Sequence, residues 1–110
     1  MADESTHESL AASLRKRVLG SGVLEAELRT GALALGGGEQ AEIPEPYALV
    51  ARLIGESSSR VTDAHVQAVR ENAGSDKAAF EAVMSASIGA GLRRWDAAVR
   101  AIREATDAPS

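Results

Sequence analysis

The chain has 110 residues, 45% hydrophobic and 25% charged, which is enough for one globular domain with a buried core. It contains no cysteine, so disulfides, thiolate metal sites and thiol nucleophiles are excluded. The net charge of −4 disfavours a polyanion as the main partner. The 22 alanines and only three aromatic residues favour a small, acidic, all-α protein.

Apolar residues recur at helical spacing in the first third of the chain. Leu10, Leu14 and Val18 predict a first helix, and the same pattern predicts a second helix over residues 24–35. Three glycines at positions 36–38 end the second helix. We expect a flexible loop there and not a phosphate-binding loop, because the run lacks a preceding strand and a following Gly-Lys-Ser/Thr sequence.

The middle of the chain carries clear helix boundary signals. Pro46 suits the first turn of a third helix, because its missing N–H would be unsatisfied there. A polar hinge is expected over residues 55–60. Thr62 is a good N-cap for a fourth helix, and Gly74 is typical of the position just after a helix end.

A single long helix is predicted for residues 76–104, and it dominates the last third of the chain. It carries one unbroken apolar stripe, and this stripe exceeds what four short helices easily cover, so we expect a homo-oligomer interface on it. The predicted interface residues are Phe80, Met84, Ile88, Leu92, Trp95 and Val99. A second surface of small residues, expected to admit the backbone of a neighbouring subunit, consists of Ala82, Ala86, Gly89 and Ala90.

These elements form one helical domain of residues 9–104, with predicted flexible ends at 1–8 and 105–110. The N-terminus lacks the basic and apolar segments of a secretory signal, and the longest apolar stretch is too short to cross a bilayer. We therefore expect a cytoplasmic protein without membrane contact. Ten arginines against two lysines, together with the alanine excess, indicate a bacterial source.

Four segments of the second half resemble one family. They are residues 60–66 (Arg-Val-Thr-Asp-Ala-His-Val), 74–76 (Gly-Ser-Asp), 80–83 (Phe-Glu-Ala-Val) and 86–94 (Ala-Ser-Ile-Gly-Ala-Gly-Leu-Arg-Arg). In this arrangement the chain is similar to the carboxymuconolactone decarboxylase-like superfamily, which includes the alkylhydroperoxidase AhpD. The resemblance implies an all-α, AhpD-like helical domain assembled as a trimer, hexamer or related ring.

The resemblance also bears on chemistry. Peroxidase members carry a Cys-x-x-Cys-x-x-x-His helix just before the Val-Thr-Asp segment, and the matching positions here are Glu45, Ala48 and Arg52. Without a thiolate there is no peroxide-reducing nucleophile, so thiol peroxidase activity is not expected. The chain is therefore similar to a cysteine-free branch of the family.

Three functions follow as hypotheses. The first is a non-peroxidatic structural or interaction subunit of an oligomer, which binds copies of itself and possibly another protein. The second is an enzyme acting on a small acid or lactone at a subunit interface, with His65, Arg52 and Glu45 as the acid–base and carboxylate-binding residues. The third is a helix-turn-helix DNA-binding regulator built from residues 62–92. No cofactor or metal site is predicted.

Overall fold

A computed structural model describes residues 3–107, with side chains described for Thr6 and from Glu8 onward. The described part is mostly helical and contains no β-strand, which confirms the predicted all-α class. In chain order the elements are α1 (Asp3–Leu19), α2 (Ala26–Gly36), α3 (Tyr47–Ser57), a 3-10 turn (Ser58–Arg60), α4 (Asp63–Ala73) and α5 (Asp76–Asp107). No helix in the described range has the length and apolar character needed to cross a membrane.

Several helix boundaries differ from the expected ones. The first helix begins at Asp3 and α5 continues to Asp107, so the predicted flexible ends are helical over 3–8 and 105–107. Residues 1–2 and 108–110 lie outside the described range. The predicted hinge at 55–60 is helical as well, because α3 extends to Ser57 and the 3-10 turn follows it.

The signals around α4 are confirmed. Thr62 caps its N-terminus, and Gly74 follows its C-terminus in the left-handed conformation, with φ 84°. The Gly74 N–H donates to the carbonyl of Arg70 at 3.1 Å, which satisfies a carbonyl that the helix end leaves open.

The core lies where α2 and α3 pack on one face of α5. This inner face is lined by small side chains and by one serine: Ala78, Ala79, Ala82, Ser85, Ala86, Gly89 and Ala90. A methyl group on Gly89 would overlap the carbonyl oxygen of Leu33, and one on Gly36 would overlap that of Ala86. The axes of α2 and α5 therefore approach each other as closely as their backbones allow.

This packing corrects the expected role of the small-residue surface. Ala82, Ala86, Gly89 and Ala90 were predicted to admit the backbone of another subunit, but α2 of the same chain occupies that surface. Small residues permit the close approach of any helix backbone, whether it belongs to the same chain or to a second one. The neighbouring backbone is simply intramolecular.

The three glycines at 36–38 are also not a flexible loop. Gly36 is buried against α5, and Gly38 takes φ 82°. The Gly38 N–H donates to the carbonyl of Leu35 at 3.0 Å, and the Glu39 N–H donates to that of Ala34 at 2.9 Å. This pair of bonds is a Schellman motif, which ends α2 in a fixed conformation.

Candidate functional site

His65, the predicted acid–base residue, belongs to the N-terminal cap of α4. Its Nδ1 accepts a hydrogen bond from the Thr62 N–H at 3.0 Å, and its own N–H donates to Thr62 Oγ1 at 3.2 Å. The two residues form a reciprocal capping box, in which each satisfies a backbone donor of the other. The structure therefore gives His65 a structural partner at the start of a helix.

Glu45, two residues before α3, and Arg52, within α3, lie together at the protein surface. Their side chains are about half exposed and form an ion pair with N–O distance 3.6 Å. Glu45 Oε1 also accepts a hydrogen bond from the Leu49 N–H at 2.7 Å, in the first turn of the helix. An exposed pair of this kind contributes little free energy and does not concentrate reactivity.

Arg52 also lines an open cleft of about 720 Å³ between the loop after α2, the C-terminal half of α3 and the middle of α5. Arg93 lines the same cleft, so two arginines border one space. The lining also includes three carboxylates, Glu39, Glu42 and Glu56. Neither His65 nor Glu45 lines this cleft, so it does not bring the three candidate residues together.

The structure reveals a charged pin that sequence reasoning missed. Arg29 is 5% exposed, and its guanidinium donates to the carbonyls of Val18 at 2.6 Å and Leu24 at 3.0 Å. Glu81, on α5, accepts from the N–H groups of Val23 at 3.1 Å and Leu24 at 2.8 Å. The two Arg29 bonds tie the end of α1 and the loop before α2 to α2, and the two Glu81 bonds tie the same loop to α5.

Two titratable groups near this region have shifted pKa values. The pKa of Glu81 is lowered, mainly by the backbone N–H of Leu24, then by that of Val23, with smaller contributions from Arg29 and Lys77. The pKa of Tyr47 is raised, mainly by burial and further by the Glu25 carboxylate. Tyr47 is 4% exposed, so its side chain belongs to the core.

The predicted interface residues divide into three groups by exposure. Phe80, Met84 and Trp95 are 60%, 41% and 40% exposed, and Ile88 and Val99 are half-buried. Leu92 is 7% exposed, so the chain itself already covers most of this side chain. The sequence periodicity did not separate Leu92 from the outward-facing residues.

An apolar groove separates α1 from the outer side of α5. Its volume is about 270 Å³, and it is lined by Leu10, Ala11, Leu14, Ile88, Gly91, Leu92 and Trp95. Leu10 and Leu14 remain 56% and 40% exposed at its edge. A methyl group on Gly91 would meet no atom within 4 Å. The groove is thus both apolar and unfilled.

The helix-turn-helix reading concerns α4, Gly74 and the start of α5. In that motif the first turn of the second helix reaches base edges. Here the Asp76 carboxylate in that turn accepts a hydrogen bond from Arg70 Nε at 2.9 Å, and Glu81 accepts hydrogen bonds from the loop before α2.

Among the described residues, no three His, Asp or Glu side chains come close enough to hold a metal ion.

Comparison with known proteins found no matching family model, no matching curated protein and no matching solved structure. The resemblance to the carboxymuconolactone decarboxylase-like superfamily thus stays a prediction.

Proposed function

We propose that this protein is a non-peroxidatic interaction subunit that associates with copies of itself through the outer side of α5. The observation that carries the proposal is the set of large apolar side chains facing outward on one helix. Phe80, Met84, Trp95 and Ile102 are each 40–66% exposed, and the α1–α5 groove lies beside them. Apolar surface of this kind, when contiguous, is typical of protein–protein contacts.

The positions of the candidate catalytic residues support the same choice. His65 belongs to a helix cap, and Glu45 forms an exposed ion pair with Arg52. Each of these roles is structural and accounts for the residue without a substrate. The absence of cysteine from the sequence separately removes the thiol peroxidase reaction.

A second candidate is binding of a small carboxylic acid in the cleft lined by Arg52 and Arg93. Guanidinium groups bind carboxylates in a bidentate geometry, which favours this ligand class. The three glutamates in the same lining work against it, because they repel an anion. Titration with succinate, followed by NMR, tests it. Shifts confined to the cleft residues would support this candidate, and an unchanged spectrum would reject it.

The mass of the protein in solution tests the first proposal. Light scattering and sedimentation velocity, over micromolar to near-millimolar protein, are expected to show a mass above that of one chain. The double variant Phe80→Gln/Ile102→Gln is expected to shift the equilibrium toward the monomer. Leu49→Gln is the matched control, because Leu49 is 40% exposed on α3 and lies away from α5's outer side.

A wild-type protein that stays monomeric across the whole range would reject the proposal. A double variant that assembles like the wild type would place the interface elsewhere.

A further inference from the structure

Among the described residues, no close neighbour explains a glycine at position 91. A helix-interior glycine costs about 1 kcal/mol relative to alanine, so its presence calls for a structural reason. Gly36 and Gly89 have one, because carbonyl groups of neighbouring helices lie against them. Around Gly91 nothing lies within 4 Å of an added methyl group, and the residue is exposed. What Gly91 provides is a place where a further backbone can approach.

The residues on either side of Gly91 form a symmetric row, which we call the outer strip. It consists of Phe80, Met84, Ser87, Gly91, Trp95, Ala98 and Ile102. Its members lie four, seven and eleven residues before and after Gly91, so they share one helical face. Every member is exposed in the single chain. None of the seven is charged.

We propose that the outer strip is a two-fold contact between two copies of this chain, in which their α5 helices run antiparallel and cross at Gly91. This geometry rests on the proposed self-association and specifies its partner surface and orientation. In an antiparallel pair, residues equally far from the crossing point face each other. Gly91 then faces Gly91 of the second copy, and the two backbones meet where neither has a side chain.

Side-chain size decides between the antiparallel and parallel arrangements. In the antiparallel pair Ser87 faces Trp95 of the second copy and Met84 faces Ala98, so in the two pairs nearest the crossing point a large side chain meets a small one. In the outermost pair Phe80 faces Ile102. In a parallel pair every residue faces itself. Two tryptophans would then collide, while the two serines would leave a gap. Alternation of large and small groups therefore favours the antiparallel pair.

The available area suffices for a weak dimer. A fully exposed large side chain presents roughly 150–250 Å². The large side chains of the outer strip, with Leu10 and Leu14 beside it, are only partly exposed. Together they supply on the order of 500 Å² per copy. The total of about 1,000 Å² lies near the lower limit for a specific interface. We therefore expect a concentration-dependent dimer. A two-fold contact also builds even-numbered rings, but a trimer cannot form from it alone.

Engineered cysteines test the orientation, because the natural chain has none. Met84→Cys and Ala98→Cys are made as separate single variants. Under mild oxidation the antiparallel pair predicts that only a mixture of the two gives abundant covalent dimer, in the form of a mixed disulfide. Ala97→Cys is the matched control, because it is exposed on α5 outside the outer strip and should cross-link poorly with either variant.

Each result has a distinct consequence. Efficient self-linking of the separate Met84→Cys and Ala98→Cys variants would show a parallel pair and overturn the inference, while leaving self-association intact. Absence of mixed disulfide in a protein that light scattering shows to be assembled would overturn it as well. A wild type that is monomeric at all concentrations would reject both proposals.

A second variant checks the crossing point. Gly91→Leu places a side chain where the two backbones meet, and we expect the dissociation constant of the dimer to rise at least tenfold. The monomer should remain folded by circular dichroism, because that position is open within the chain. An unchanged dissociation constant would move the contact away from Gly91.

Discussion

Gly89 and Gly91 lie two positions apart in α5 and face different surroundings. Gly89 is buried on the inner face, where the carbonyl of Leu33 leaves no room for a methyl group. Gly91 is exposed on the outer strip, where a methyl group would meet nothing within 4 Å. One helix thus carries a small-residue face that is fully used within the chain and a larger apolar strip that is not. The contrast shows that two glycines in one helix can have opposite surroundings, one packed against α2 and one open.

The largest expected effect comes from closing the inner contact. Gly89→Ala should lower the free energy of unfolding by about 3 kcal/mol or more, because rigid backbone atoms of α2 must move to admit the methyl group. Urea denaturation followed by circular dichroism measures this change. A loss below about 1 kcal/mol would mean that α2 and α5 separate easily, and the description of the inner face would be wrong.

Sequence periodicity located α5 but assigned its small-residue face to the wrong partner, since α2 of the same chain covers it. The spacing of apolar residues shows which side chains share a face, and it contains no information on which neighbour comes close. Large apolar residues usually form the core. Here the distance between α2 and α5 is set by Gly36 and Gly89, each of which lies against a carbonyl group of the other helix. The all-α class, the capping role of Thr62 and the helix end at Gly74 depend on local signals, and all three were predictable.

The hydrogen bonds made by Arg29 and Glu81 could not be predicted from the sequence for a different reason. Glu81 bonds to the N–H of Leu24 across 57 positions, and no local pattern encodes that pairing. The available signal was weak: Arg29 interrupts the apolar side of α2, and Glu81 interrupts an apolar stretch of α5. Either residue suggests a buried charge with a partner, but not which partner.

The next largest effect is expected at Arg29, which ties the end of α1 and the loop before α2 to α2. Arg29→Met keeps most of the side-chain volume and removes the donors to Val18 and Leu24, so two carbonyls lose their bonds. We expect a loss of about 2–3 kcal/mol in the free energy of unfolding. Arg52→Met is the control, since Arg52 is exposed, and should change stability by less than about 0.5 kcal/mol. Equal effects for the two variants would contradict the structural role of Arg29.

The pin also predicts a pH dependence. Because the pKa of Glu81 is lower in the folded than in the unfolded chain, the unfolded state binds more protons in the acid range. The stabilisation that Glu81 gives the folded state is fully present above the ordinary glutamate pKa of about 4.3. It is lost as the pH falls through the lower pKa of the folded state. Unfolding curves from pH 6 downward should therefore show a smaller loss of stability for Glu81→Gln than for the wild type. Parallel curves for both proteins would exclude Glu81 as a source of the acid dependence.

The smallest effect, and the most specific one, is expected from Gly91→Ala. At protein concentrations low enough to keep the chain monomeric, the substitution should raise the free energy of unfolding by about 1 kcal/mol, because alanine restricts the unfolded chain and meets no obstacle in the helix. In the antiparallel pair the same methyl group meets the backbone of the second copy, so the dissociation constant should rise while the monomer becomes more stable. Denaturation and sedimentation velocity on the same samples measure the two changes. Opposite signs would support a close backbone contact at Gly91. A more stable monomer with unchanged association would leave the glycine unexplained and would place the self-contact elsewhere on α5.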